Sequence, residues 1–137
     1  MGEIRVKVKL MNLLDETRFR NGEMKKEDIR TYEADAMVDT GAVRSVIPVH
    51  VLQQLGVGTR GTRVAEYADG RKDTVDVSAG IIFDVLGRDT IEEALVLGDE
   101  VLIGQTVLGK LDLQADCVNR RLVPNPAHPD QPVSKVK

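Results

Sequence analysis

Ile4, Val6, Val8 and Leu10 alternate with Arg5, Lys7 and Lys9 at the start of the chain. Apolar residues at every second position suit a half-buried strand, because successive side chains of an extended chain point to opposite faces. The residues available to fill the core behind such a strand narrow the choice further. Aromatics make up 3% of the chain and tryptophan is absent. Valine, isoleucine and leucine must therefore build the core, a composition that favours strands. A length of 137 residues gives room for one domain with a real core, and not for two.

Further strands follow from local patterns. Asp15 to Lys26 is polar, contains Asn21-Gly22 and reads as an exposed connection. A second strand is expected over Glu27 to Val38 and a short return strand over Val43 to Ile47. Pro48 suits the first position of a short helix reaching Leu55, which Gly56 would end as a left-handed cap. Thr62 to Ala68 and Lys72 to Val77 flank Asp69-Gly70, the strongest short hairpin signal in the chain. Ile81 to Leu86 is turned by Gly87-Arg88 into a strand over Thr90 to Leu97. After the Leu102-Ile103-Gly104 segment a second short helix reaches about Lys110, and a hairpin covers Leu113 to Val123 around Asn119-Arg120. The expected fold class is all-β with two short helices, a domain over residues 1–124. Residues 125–137, with three prolines and no apolar period, are expected to form a mobile tail.

Ala36-Met37-Val38 leads into Asp39-Thr40-Gly41-Ala42, a strand delivering a carboxylate into a tight glycine-containing loop. Of the Asp-Thr pairs at Asp39, Asp73 and Asp89, only the first is followed by glycine. Aspartic proteases need two such carboxylates, one as base and one protonated. A single motif supplies half of that pair, and a homodimer would supply the rest. Downstream, Glu100-Val101-Leu102-Ile103-Gly104 precedes a short helix and the strand-like Leu111-Asp112-Leu113-Gln114-Ala115-Asp116. Taken together and in this order, the two motifs resemble the retropepsin-like family, the single-domain, dimeric aspartic proteases of viruses and of many cellular genomes. The resemblance covers about residues 30–124.

The resemblance implies a two-fold dimer of barrel-like halves with Asp39 catalytic in each, acting on polypeptide substrates without metal or other cofactor. Two Asp39 carboxylates at hydrogen-bond distance cannot both ionise cheaply, so they would share a proton. The ionised one would take a proton from a bridging water while the other hydrogen-bonds the peptide carbonyl. Thr40 and Gly41 would support the loop: the hydroxyl by bonding across the dimer, the glycine by letting the backbone approach the carboxylates. Ala42 would be a small residue where the substrate backbone passes, with Ile103 and Gly104 beside it. The hairpin tip, Tyr67, Ala68, Asp69 and Gly70, stands where the family places a flap that closes over substrate. A plain surface hairpin fits those residues equally well, since viral tips are richer in glycine. Viral members also carry an arginine after the second glycine, paired with an acidic residue after Asp-Thr-Gly-Ala. Here Gln105 and Val43 stand at those places, so neither charge is left without its partner. A non-catalytic module that holds a partner peptide on the same fold is the competing class.

Other signals carry less. Gly56-Val57-Gly58-Thr59-Arg60-Gly61 matches a dinucleotide fingerprint, but it follows a helix and precedes a strand, the reverse of what phosphate binding requires. Acidic residues number 22 and basic residues 19, with no basic stripe, which disfavours nucleic acid. No segment approaches a membrane span, and the charged N-terminus does not read as a signal peptide. One cysteine and two histidines make neither a disulfide nor a convincing zinc site. Cys117 falls in a strand pattern and reads as a small apolar residue, and His50 as solvated. The expected location is the cytoplasm.

Overall fold

The alternation at the N-terminus becomes the central strand of the molecule. In the computed structural model, which describes residues 3–136, β1 (Ile4–Asn12) buries Ile4, Val6, Val8 and Leu10 and exposes Arg5, Lys7 and Lys9. It pairs antiparallel with β2 (Thr31–Val38) on one side and with β6 (Ile81–Val85) on the other. Leu86 and Gly87, both at positive φ, turn β6 into β7 (Arg88–Glu92). That backbone is the kind a two-residue hairpin loop requires.

Beyond β2 the sheet continues through short strands. β9 (Leu102–Ile103) runs parallel to β2, and β3 (Val46–Ile47) pairs antiparallel with β9. β8 (Leu95–Val96) lies parallel to β3 and antiparallel to β5 (Lys72–Ser78), whose hairpin partner β4 (Thr59–Glu66) is one edge of the sheet, β7 being the other. The nine strands follow the order β4-β5-β8-β3-β9-β2-β1-β6-β7 in one curled sheet. β10 (Leu113–Asp116) and β11 (Arg121–Pro124) form a separate hairpin. The all-β class is therefore observed.

Aliphatic side chains fill the core as composition requires. Leu10, Ile47, Leu55, Ile81, Ile103 and Phe83 are fully buried, and Phe83 is the one phenylalanine of the core. Each such side chain stabilises the fold by about 1.5–3 kcal/mol relative to exposure. α2 (Val49–Leu55) buries Val51, Leu52 and Leu55, and α3 (Gln105–Leu111) buries Val107, Leu108 and Leu111. Gly56 caps α2 in the left-handed region at φ 66°, and Pro48 is the N-cap of that helix, one place before its first turn. No helix among the described residues is long and apolar enough to cross a membrane.

The helix count differs from expectation. The polar stretch read as an exposed connection holds most of α1 (Leu13–Arg20), so the described residues contain three α-helices and not two. Periodicity misses α1 because Leu14 and Phe19 face solvent and no apolar stripe forms. Polar contacts define it instead. The Asn12 side chain accepts from the Asp15 N–H as an N-cap and donates to the Leu55 carbonyl at 2.8 Å. Asp15, 1% exposed, accepts from the Arg30 guanidinium at 2.8 and 3.0 Å and from the Arg30 N–H at 3.0 Å. The expected strand over Thr90 to Leu97 is likewise two strands on different neighbours. The Ala94 N–H, bound by the buried Ser78 hydroxyl at 2.9 Å, marks the point where the chain crosses over.

The described residues after Pro124, 125–136, form no helix or strand, and Lys137, the end of the expected tail, lies outside the described residues. Several of them gather on Asp112, the left-handed cap of α3. Its carboxylate accepts from the Asn125 amide at 3.0 Å and the Val133 N–H at 3.1 Å, and meets His128 Nδ1 at 2.6 Å. These contacts, the Asn125 amide foremost, hold the Asp112 carboxyl below the usual carboxylate range. Buried Arg88 donates to the carbonyls of Leu111, Asp112 and His128.

Candidate active site

The two motifs that stand apart in sequence lie side by side in the sheet. β2 and β9 pair Met37 with Leu102 and Val38 with Ile103. The Met37 N–H donates to Val101 O at 3.0 Å, and the Asp39 N–H to Ile103 O at 2.9 Å. Asp39 is thus the first residue past the strand, with its backbone still held by the sheet.

The loop closes at once. Ala42 N–H donates to Asp39 O at 3.2 Å, and Gly41 N–H donates to Asp39 Oδ1 at 3.0 Å. The carboxylate is half-buried, and among the described residues Oδ2 makes no hydrogen bond. A Cβ added at Gly41 would stand 3.4 Å from Asp39 Oδ1, an ordinary contact. Among the described residues nothing forbids a side chain there. The Thr40 hydroxyl makes no hydrogen bond among the described residues, while the Thr40 carbonyl accepts from Gln105 Nε2 at 2.5 Å.

Support comes from the chain after β9. Gly104 N–H donates to the hydroxyl of fully buried Ser45 at 3.0 Å. A Cβ at Gly104 would come within 2.6 Å of the Arg44 carbonyl carbon and oxygen, so only glycine fits. Gln105 and Thr106 N–H donate to Ala42 O at 2.9 Å and Val43 O at 3.0 Å. The first N–H groups of a helix have no partner within it, and here the loop carbonyls satisfy those of α3. Ile103 is fully buried and Gly104 is buried, so in the single chain both shape the loop from beneath.

The β4–β5 hairpin is built on different terms. Every β4 side chain is exposed except Ala65, which is half-buried. At its tip Gly70, at φ 86°, donates to Tyr67 O, Asp69 Oδ1 accepts from Arg71 N–H, and the Arg71 guanidinium lies 4.4 Å from the Tyr67 ring centre. Among the described residues the tip makes no hydrogen bond to the Asp39 loop. Asp39 through Ala42 and Ile103 through Gln105 therefore form one unit, and Tyr67 to Gly70 stand outside it. A cavity of about 340 Å³ opens beside Thr40, lined by Ile4, Met37, Val38, Cys117 and Val118 among others. A larger one, about 410 Å³, lies over the outer face of β1, β2 and β6 among Lys7, Lys9, Glu33, Asp35 and Asp84. Burial, with Asp89 adding to it, pushes the Asp84 carboxyl up, and Lys9 opposes the shift.

Other sequence candidates find plain places. Gly56 ends α2 and Thr59 to Gly61 lie in β4, so the glycine-rich decoy joins a helix to a strand. Cys117, read as a strand residue, is exposed in the turn between β10 and β11, where the chain has already left the ladder. His50 is exposed and meets Tyr32 edge-on at 6.3 Å. Sequence reasoning missed Ser45, whose buried hydroxyl no pattern signals, and it saw in Gln105 only a missing charge. No protein-family model matches this chain, and no curated protein is significantly similar to it.

Proposed function

We propose that the protein is a homodimeric, retropepsin-like aspartic endopeptidase in which the Asp39 carboxylates of two copies meet across a two-fold axis. The reading is carried by the Asp39 loop. One carboxylate oxygen is oriented by Gly41 N–H, the backbone is pinned to Ile103, and the other oxygen is left for a neighbour. The Thr40 hydroxyl, without a hydrogen-bond partner among the described residues, suits a bond to the second loop. At such an axis the pair would hold one proton between them. The ionised Asp39 takes a proton from water, whose oxygen attacks the peptide carbonyl. The protonated Asp39 hydrogen-bonds the carbonyl oxygen, and a proton returned to the amine lets the C–N bond break. Tyr67 to Gly70 would close over the substrate, and Ala42 would leave room for its backbone. The free Cys117 suits a reducing compartment, the cytoplasm.

One observation favours the competing reading of a partner-binding module. β4 is an open sheet edge able to take an added strand from a peptide. Replacing Asp39 by Asn separates the two, since it keeps the turn and removes the ionisable oxygen. Wild type should cleave unfolded protein or peptide libraries with a bell-shaped dependence between about pH 3 and pH 8, and Asp39→Asn should not. A statine-type inhibitor should block the wild type, and chelators should leave it active. Inertness of both proteins, with peptide binding intact in both, would favour the module.

A further inference from the structure

We infer that Gln105 is a positioning residue that holds the Thr40–Gly41 peptide plane, and through it the Asp39 carboxylate, in register for reaction. The inference rests on the protease reading above. Gln105 Nε2 donates to Thr40 O at 2.5 Å, and Gly41 N–H donates to Asp39 Oδ1 at 3.0 Å. Those two backbone groups belong to one planar peptide unit, with C=O and N–H pointing to opposite sides. The Gln105 amide and the Asp39 carboxylate therefore grip opposite edges of the same rigid plate. Tilting the plate breaks both bonds at once. Linked in series, each bond also polarises the other, so the Gln105 amide makes Gly41 N–H a better donor to the carboxylate.

The backbone bonds from α3 to Ala42 O and Val43 O set where the loop sits, and any residue except proline at 105 preserves the first of them. The bond to Thr40 is different because it needs a side-chain donor of this length. Glutamine supplies one without bringing a charge to a site whose work depends on the proton balance of two carboxylates. Val43, next along the loop and exposed, offers no charge that a cation at 105 could pair with.

The test compares wild type, Gln105→Ala and Gln105→Glu in the full chain, with thermal midpoints confirming that each folds. Gln105→Ala should lower kcat about 10- to 100-fold while KM moves less than about threefold, because geometry at the reacting groups is lost and substrate contacts are not. Glu at 105 has no donor when ionised and regains an O–H when protonated. The kcat ratio of Gln105→Glu to wild type should therefore climb as pH falls through the ordinary glutamate range near about 4.3, while the alanine ratio stays flat. A merely structural role would not produce that difference. Hydrogen exchange of the Gly41 amide, read by NMR, reports the plate without any catalysis and should quicken in Gln105→Ala. Wild-type kcat in Gln105→Ala would overturn the inference even if exchange changed. An inert wild type whose Gly41 exchange still depends on Gln105 would remove the protease reading and leave the grip on the plate. An inert wild type with unchanged exchange would remove both.

Discussion

Asp39 donates its backbone N–H to the carbonyl of Ile103 at 2.9 Å, one residue before Gly104, the glycine that lies against the Arg44 backbone. The loop bearing the carboxylate and the turn into α3 are therefore two sides of a single packed junction, and perturbing either should be felt by the other.

Gly104 tests that junction. In Gly104→Ala the new methyl must displace the Arg44 backbone, a forced shift that costs about 1–3 kcal/mol or more. Gly109, inside α3 with open space around its Cα, provides the control. Gly109→Ala should stabilise the protein by about 0.5–1 kcal/mol. Urea unfolding of both variants measures the contrast, and equal midpoints would contradict the packing described.

Asp15 and Arg30 should make stability depend on acid. The Arg30 side-chain hydrogen bonds, opposed by burial, hold the Asp15 carboxyl below its ordinary value of 3.8. Because the folded value is the lower one, the stabilisation is complete above the unfolded value and is lost as pH falls through the folded one. Asp15→Asn should cost about 1–3 kcal/mol near neutral pH, and the difference from wild type should shrink in acid. Denaturant midpoints at several pH values give the comparison.

The β4–β5 hairpin should open far more readily than the centre of the sheet. β4 buries no side chain, whereas β1 buries Val8 and Leu10 between two paired strands. Local opening takes little free energy where few apolar contacts must be broken. Hydrogen exchange should find the β4–β5 tip amides unprotected and those of Val8 and Leu10 exchanging only with global unfolding. A flap requires such mobility, and tip amides protected as well as those of β1 would argue against one.

Legibility in the sequence followed the physics of each element. β1 was readable because one face meets water and the other the core, which imprints a period of two. α2 was readable from Pro48 and Gly56, residues whose backbone preferences act locally. α1 was hidden because its reasons for being helical are an Asn12 cap and the Asp15–Arg30 pair, and the second depends on a residue brought from another element. The adjacency of Asp39 and Ile103 was readable only as an ordered pair of motifs. The Gln105 bond to Thr40 was not readable at all, since it depends on where α3 begins relative to the loop.

The central claim is that one active site needs an Asp39 from each of two copies, and subunit mixing tests it most directly. Wild type and Asp39→Asn are combined in equal amounts, allowed to exchange, and assayed on an unfolded protein substrate. If both carboxylates are required, mixed dimers are inert. Total activity should then fall to about one quarter of that of an equal total amount of wild type, and not to about one half. Activity of about one half would mean that each copy works alone, and activity in pure Asp39→Asn equal to wild type would contradict a role for Asp39 altogether.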